Sequence, residues 1–534
     1  THGGKPVDLS RIDYQDPRVF DMIQAGDTIG VFQVESRAQI QMLRRTKPEN
    51  LADLVVQVAI VRPGPIVGGA VTPFVQRREN PDYQPEYDHP RLDPILEETL
   101  GVILYQEQVV QVAEAIAGFS AGQADQLRRA MTRKRSAEAM ASLRQQFFDG
   151  CAAQQVASDV AETVFRKISG FAEYGFPKSH AAAFGLLAYQ SCWLKHYHPA
   201  EFLCSLLNNQ PMGFYAPHVL VNDARRSGMR VFRPDINRSD VECSVEGKRS
   251  IRIGLRQVKG LDEETAIRIV DERRRNGDFL SFADLIRRVA LRTVILENLV
   301  AAGACDDFGL QRREMLWQMG LFIAPRGFME PKRRRLAGKQ LALALPTVQD
   351  HVELPPTTSW ERMADEYRTL GLTTRYHPLQ LLRERLPRHM VSTRDLASLP
   401  NGYRLQIPGL IVCRQRPGTA KGITFLLLED EVGLANVIIY PDLYERQRLE
   451  VRSVPMLTVE GTLQKMHNNI NIIAERLIPL ESLTFDTQAH NGWEQPGDEA
   501  DLAHLELVQV VVSDESSLTP ANIRAVAPES HNYR

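Results

Sequence analysis

The chain contains no run of eighteen apolar residues free of charge, which excludes a membrane-spanning helix. Its six cysteines (Cys151, Cys192, Cys204, Cys243, Cys305, Cys413) form no Cys-x-x-Cys pair, so zinc-ribbon and dithiol readings fail and a reducing, cytoplasmic setting is the expectation. A Walker-type Gly-x-x-x-x-Gly-Lys-Ser/Thr and a Gly-x-Ser-x-Gly elbow are both missing, which removes P-loop and nucleophile-elbow chemistry. Asp-x-Asp is missing as well, and two-metal phosphoryl transfer needs carboxylates converging on one point. The acidic clusters Asp262-Glu263-Glu264 and Glu429-Asp430-Glu431 read as caps of turns and helix starts, or as solvated surface. His196 and His198 have metal-like spacing but no third ligand nearby, so no metal site is expected. A basic excess is also lacking: 64 Lys+Arg against 66 Asp+Glu give a net charge of −2, so any polyanion must be met locally. The first residue is Thr1 and no signal-peptide pattern follows, so either the start was processed or the sequence is a piece of a longer chain.

What is present is enough sequence for several domains, since 534 residues exceed one hydrophobic core. Residues 1–235 read as mostly helical, with apolar periodicity in Val19-Phe20-Met22-Ile23 and from Val109 to Ile116. Pro199 suits the first turn of a short helix over Glu201–Leu207. From Pro234-Asp235-Ile236-Asn237 onward the pattern turns to small strands and short helices with glycine turns, and residues 250–310 carry two such units. Residues 322–358 are rich in Pro, Arg and Ala and read as a linker, followed by a helical stretch over 359–386; together, 322–401 form a linker and connector. Over 402–480 the period changes to that of strands: Tyr403–Val412, Ile423–Leu428, Leu434–Tyr440, Met456–Val459 and Asn471–Ile473. Five short strands with turns at Pro417-Gly418, Glu431-Val432-Gly433 and His467-Asn468-Asn469 suggest a small barrel of the oligonucleotide-binding (OB) kind, with another small β domain as the alternative. The tail covers 481–534, and the residues after 485 have the composition of a partly disordered segment.

Three local features can carry chemistry. Arg128 and Arg129 lead a run in which five of eight residues are basic, through Arg133-Lys134-Arg135. Neighbours on a helix point about 100° apart, so two guanidinium forks can grip one multiply charged phosphate ligand; a solvated positive helix face fits equally. Lys178-Ser179-His180 follow the turn Gly175-Phe176-Pro177, just before an apolar helix over Ala181–Leu194. Ser179 as its cap leaves the helix amides and Lys178 facing outward for phosphate; the plain alternative is a capped core helix. Lys259-Gly260 and the turn in Asn298–Ala304 resemble hairpins that offer backbone amides to DNA phosphates, though such folds also serve as connectors.

The segments Gly30–Arg37, Val61-Arg62-Pro63-Gly64-Pro65, Gly101–Gln108, Leu127–Met131 and Tyr174–His180 closely resemble, in order, the fingers of the bacterial DNA polymerase III alpha-subunit family (C-family). The resemblance continues through the tandem helix-hairpin-helix and the OB barrel and covers nearly the whole chain. Arg414–Gly422, and an ending soon after the barrel at Ser530–Arg534, look like the error-prone branch, the catalytic subunit of a damage-induced mutagenesis complex. Leu341–Leu354, where replicative members carry a clamp-binding peptide, offers no clean Gln-x-x-Leu-Phe.

The resemblance implies a multidomain α+β protein: helical fingers over 1–235, tandem helix-hairpin-helix over 236–321, connector over 322–401, OB barrel over 402–480 and tail over 481–534. It implies that the intact protein is a DNA-directed DNA polymerase (a nucleotidyltransferase) serving translesion synthesis in DNA repair. Its Mg2+ ions would be held by palm aspartates absent from these residues, so that the chain alone is inactive. By the same resemblance Arg128, Arg129, Lys178, Ser179 and His180 contact the incoming deoxynucleoside triphosphate. Arg62, Lys259, Gly260, Arg414, Arg416 and Lys421 are the expected contacts to primer–template DNA, the last three from a barrel loop turned outward by Pro417-Gly418. Accessory proteins of the mutagenesis complex are expected to link it to the sliding clamp. The alternatives are the replicative alpha subunit and a non-catalytic DNA-binding adaptor.

Overall fold

A computed structural model describes residues 6–62, 65, 69–80, 82–84, 86–132, 137–171, 176–322, 354–466, 469–482 and 531–533. Arg133-Lys134-Arg135, most of the expected linker, the clamp-peptide position and most of the tail lie outside the described residues.

Helices dominate the first 226 residues: α1 (Pro17–Gln24), α2 (Arg37–Thr46), α3 (Leu51–Ile60), α4 (Val71–Glu79), α5 (Gln106–Ala117), α6 (Ala121–Thr132), α7 (Ala137–Ala153), α8 (Ser158–Phe171), α9 (Lys178–Tyr197), α10 (Pro199–Asn208) and α11 (Pro217–Arg226). Their starts follow local chemistry. Asp16, Ser36 and Asn50 each accept a first-turn amide, and Pro17, Pro199 and Pro217 occupy first-turn positions that need no amide donor. The long α9 is the axis of this part. It crosses α3 so closely that a Cβ on Gly185 would sit 2.9 Å from Val55 Cγ2 and 3.3 Å from its Cα, so glycine is required there. Tyr189 on α9 donates to the Asp13 carbonyl at 2.8 Å and accepts from the Asp16 amide at 3.2 Å. Near the other end of α9, Lys195 bridges Asp27 at 2.6 Å and Asp223 at 3.1 Å, joining α9 to α11. Ser179 does not cap this helix. Pro177 is already extended at the N-cap, so α9 starts at Lys178 and Ser179 lies exposed in its first turn.

Three short strands, β1 (Arg230–Phe232), β2 (Ser244–Gly247) and β3 (Ser250–Arg252), lead into α12 (Glu263–Asn276), α13 (Phe282–Arg288), α14 (Thr293–Ala301) and α15 (Arg312–Phe322). Asp262 caps α12 by accepting the Thr265 amide, so this acidic cluster is a helix start as its sequence implies. The connector helices α16 (Ser359–Leu370) and α17 (Pro378–Leu382) bury Trp360, Met363, Leu379 and Leu382 in the same apolar core as α10–α15. That core runs on to Leu410, Val412, Leu427 and Met456 on the barrel's outer wall, so no solvent layer separates barrel from connector.

The barrel strands are β4 (Arg404–Gln415), β5 (Thr424–Glu429), β6 (Leu434–Ile439), β7 (Met456–Met466) and β8 (Asn469–Pro479). They pair in the order β5-β6-β8-β7-β4, with a further β4–β5 pairing that closes the ring, and β6–β8 is parallel. This is the five-stranded closed barrel expected of an OB fold. A last strand, β9 (His531–Tyr533), adds in parallel to β4 along Cys413–Gln415.

Glu429, at the end of β5, overturns the solvated reading of its acidic cluster. Its side chain is fully buried, receiving Arg226 Nη1 at 2.8 Å and Asn222 Nδ2 at 3.1 Å from α11. Asp430 is buried beside it and accepts the amides of Val432, Gly433 and Thr393. Burial, the largest single effect, raises the Glu429 carboxyl, but Arg226 together with the His377 hydrogen bond and the charges of His377 and His218 outweighs it and holds the group at about 2, against an ordinary 4.5. Because the folded value is the lower one, this contact stabilises above about pH 4.5 and is lost as pH falls towards 2. Glu429→Ala, which strands Arg226, is expected to cost about 3 kcal/mol. Urea unfolding followed at pH 7 and pH 3.5 checks this: the gap between parent and variant should narrow at the lower pH.

Candidate functional site

The two halves of the predicted phosphate site meet through backbone. Tyr105 and Phe176 form an isolated parallel β-bridge, and the Gln106 amide donates to the Phe176 carbonyl at 3.1 Å. The bridge is held from within by Gln108, whose buried side chain accepts the Leu104 and Tyr105 amides at 2.8 and 3.0 Å and donates to Thr99 Oγ1 at 2.9 Å. The first residues of α5 therefore lie beside the first residues of α9. Gln106 turns one way: its Oε1 accepts Arg128 Nη1 of α6 at 3.0 Å. Glu107 turns the other way: its Oε2 accepts the Lys178 amide at 3.0 Å.

The three cations expected at the triphosphate, Arg128, Arg129 and Lys178, each have an acidic partner. Arg128 donates through Nε to Asp125 Oδ1 at 2.9 Å, and Arg129 Nε lies 2.7 Å from Asp125 Oδ2. Those hydrogen bonds, Arg128's first, hold the Asp125 carboxyl below its usual range. Lys178 Nζ donates to both Glu98 oxygens at 2.7 Å and stands 5.7 Å from the Tyr105 ring centroid. Arg128 is half-buried and Arg129 exposed. Ser179 and His180 are exposed on the first turn of α9.

Arg62 joins this cluster rather than a separate surface. Its guanidinium lies 4.8 Å over the Phe176 ring, and desolvation lowers its pKa. From Phe176 a ladder of rings continues to His180 at 5.0 Å, Phe184 at a further 4.3 Å and Phe32 at a further 5.4 Å. Phe32 is 51% exposed, so the ladder opens to solvent.

The glycine turns divide. Gly260, at φ +84° and exposed, is a turn that glycine suits, with Lys259 exposed beside it. The Lys259 amide, however, donates to the Thr369 carbonyl of α16 at 2.7 Å, and its carbonyl accepts Asn298 Nδ2 at 2.8 Å. The second turn, in Asn298–Ala304, offers nothing to phosphate. Gly303 is buried, its carbonyl accepts Arg233 Nε at 3.1 Å, and a Cβ there would fall 2.4 Å from Arg312.

The barrel loop also differs from expectation. β4 runs on to Gln415, so Arg414 is a strand residue, 7% exposed, donating to the Val451 and Val454 carbonyls at 2.7 and 2.6 Å. Burial lowers its pKa to about 10. Arg414 thus closes the barrel wall and does not face outward to phosphate. Arg416 stacks 4.1 Å over Tyr444 and is exposed, and Lys421 is exposed at φ +49°.

Among the described residues no group of three or more His, Cys, Asp or Glu side chains is placed to hold a metal ion, and no helix is long and apolar enough to cross a membrane. The six cysteines are buried and unpaired with one another. The partners Gln106, Glu107, Glu98 and Asp125 were not singled out from sequence. Only Asp125 had a readable signal, lying three and four residues before the two arginines.

Residues 1–155 match the family model for the bacterial DNA polymerase III alpha subunit finger domain, and residues 228–315 match the helix-hairpin-helix motif. The chain is 42% identical over 480 residues to the error-prone DNA polymerase of Dechloromonas aromatica, covering 90% of this chain and 45% of that protein. It is 44% identical over 479 residues to that of Mycolicibacterium paratuberculosis, covering 89% of this chain and 43% of the relative. A third relative of the same name, from Bdellovibrio bacteriovorus, is 38% identical over 497 residues, with 89% and 46% covered. The chain thus spans less than half the length of these curated relatives. The resemblance to the polymerase III alpha-subunit family and its error-prone branch is borne out by these matches.

The two arginines of the barrel loop are expected to separate under mutation. Arg414→Ala leaves two buried carbonyls unsatisfied and should destabilise the protein by about 2–4 kcal/mol. Arg416→Ala with Lys421→Ala should leave the unfolding midpoint within about 0.5 kcal/mol of the parent. Thermal and urea denaturation of the purified variants checks both.

Proposed function

We propose that this chain is the fingers-to-barrel portion of an error-prone DNA-directed DNA polymerase, and that in the intact protein it binds the incoming deoxynucleoside triphosphate and the primer–template. The observation that carries the reading is the meeting of Arg128 and the Lys178 end of α9 across consecutive residues, Gln106 and Glu107. Charged donors from two helices with an exposed face can surround a polyphosphate, and fixed positive charge there offsets the charge that develops on the leaving pyrophosphate. In this reading Arg128 and Arg129 grip the triphosphate, Lys178 reaches it from α9, and Ser179 and His180 line the same pocket. Arg62, on the Phe176 ring, borders it on the DNA side. Lys259-Gly260 meets the duplex through the exposed lysine side chain and Gly260, because the Lys259 amide is already committed. Arg416 and Lys421 track single-stranded template across the barrel.

Magnesium chemistry belongs, in this proposal, to the palm of the intact protein; the described residues present no carboxylate set that fits it. The domain limits that go with the reading are fingers over 1–235, helix-hairpin-helix over 236–321, connector over 322–401, barrel over 402–480 and tail over 481–534. The intact polymerase would act in the cytoplasm in damage-induced translesion synthesis, joined to the sliding clamp through accessory proteins.

Three measurements test this. The purified chain should bind a labelled primer–template with an affinity that falls steeply as salt rises, because phosphate contacts release counterions. With magnesium and all four triphosphates it should extend no primer; templated extension by the chain alone would reject the division of labour. In the intact polymerase, Arg128→Ala or Arg129→Ala should weaken use of the incoming nucleotide about tenfold to a hundredfold, since each removes charge-assisted contacts to the triphosphate. Single-nucleotide kinetics matching the parent would reject the arginine assignment.

A further inference from the structure

The cations assigned to the triphosphate are already engaged, and by groups that resemble it. Asp125 divides its two oxygens between two guanidinium groups: Oδ1 faces Arg128, 2.9 Å from Nε and 2.8 Å from Nη2, while Oδ2 faces Arg129 Nε at 2.7 Å. Glu98 presents both oxygens to the Lys178 ammonium at 2.7 Å, and Glu107 accepts the first amide of α9 at 3.0 Å. A carboxylate between two arginine forks, and another on a lysine, occupy the positions that phosphate oxygens take at such donors. The side chains involved are partly open: Asp125 is 35% exposed, Glu98 40% and Arg129 66%, so an incoming anion can reach them.

Resting on the reading of these cations as triphosphate contacts, we propose that Asp125 and Glu98 are built-in phosphate surrogates. They are positioning residues that hold Arg128, Arg129 and Lys178 poised while the site is empty, and the incoming triphosphate must displace them. Asp125 sits three and four residues before the arginines on one helix, so it is always at hand and competes as a tethered ligand. Arg128 is held a second time by Gln106 Oε1 at 3.0 Å, a neutral acceptor that stays in place when Asp125 lets go. The arginine therefore keeps its aim through the exchange. Without a surrogate, two guanidinium groups side by side would repel and spread; with one, the site is pre-arranged but partly self-inhibited.

The proposal predicts a gain, which loss of structure alone would not produce. Tripolyphosphate is the probe, titrated into the purified chain at low salt and followed by 31P NMR. Asp125→Asn, which keeps the shape and removes the charge, should tighten binding about three- to tenfold, the effect of removing one close like charge from a partly exposed site. Glu98→Gln should shift affinity in the same direction through Lys178, and it serves as the second variant if Asp125→Asn does not fold by circular dichroism. Arg128→Ala combined with Arg129→Ala should weaken binding at least tenfold.

The outcomes are distinct. If the arginine variant weakens binding but Asp125→Asn and Glu98→Gln leave it unchanged or weaker, the surrogate role is overturned and the triphosphate site stands. If the arginine variant binds like the parent, the triphosphate site lies elsewhere and both readings fall. Acid does not mimic the variant: hydrogen bonds from Arg128 and Arg129 hold the Asp125 carboxyl low, so the competitor stays ionised at pH 5. A change in affinity from pH 7 to pH 5 that is the same in parent and Asp125→Asn, as protonation of the tripolyphosphate itself would give, fits this; a rise confined to the parent would contradict it.

Discussion

The candidate site depends on one backbone contact, the Gln106 amide to the Phe176 carbonyl inside the Tyr105–Phe176 bridge. Glu107 and Lys178 are 71 residues apart in sequence, and the helices between them form a separate apolar cluster around Phe147 and Phe165. The bridge closes that excursion like the neck of a loop. It sets the start of α9 against the start of α5, and everything placed there follows: Lys178 on Glu98, Arg128 on Gln106, Arg62 and His180 on the Phe176 ring. Gln108 explains why the neck is stable, because it satisfies amides on the bridging segment that burial would otherwise leave unpaired. At the far end of α9, Lys195 between Asp27 and Asp223 fixes the same helix a second time. The helix that presents the candidate contacts is thus anchored at both ends.

The barrel is tied to the helices by a buried charge. Burying Glu429 is costly unless it is paired, and Arg226 and Asn222 supply the pairing from a helix 203 and 207 residues earlier in the chain. The register of barrel against helix is therefore set by polar geometry, while the apolar core running from α10 through the connector supplies the area. The basic loop at Arg416 and Lys421 consequently has a fixed direction relative to α9, which a barrel on a free linker would lack.

Much of this was legible in the sequence. Period-two runs located all five barrel strands, Pro199 marked the start of α10, and Asp262 marked the start of α12. What failed did so for identifiable reasons. Arg414 follows Ile411-Val412-Cys413 in a strand that runs to Gln415, and an arginine that satisfies carbonyls inside a wall has the same sequence signature as one in a loop. The turn at Gly303 looked like the one at Gly260, yet Arg233, 70 residues earlier, and Arg312, from the helix that follows, close over it. Ser179 matched a cap in type, but Pro177 had already ended the extended segment. In the candidate site the cations were readable because a family motif marks them. Of their acidic partners only Asp125, at helical spacing from the arginines, was within reach of the sequence; Glu98 meets Lys178 across 80 residues and only the fold brings them together.

Those partners also bear on the chain's charge. A net of −2 does not look like the balance of a protein that handles polyanions, because bulk charge averages over pairs that the fold has already made. Where each exposed cation carries its own carboxylate, the field felt at long range is weak. A strong positive potential then appears only where an approaching anion pushes a carboxylate aside. A singly charged anion exchanges one contact for another with little gain. In the proposed exchange, a polyphosphate that engaged the two arginines of α6 together would make its second contact at the cost of no further translational entropy. Internal pairing of this kind converts a general attraction for negative charge into a requirement for several phosphate groups held in a row.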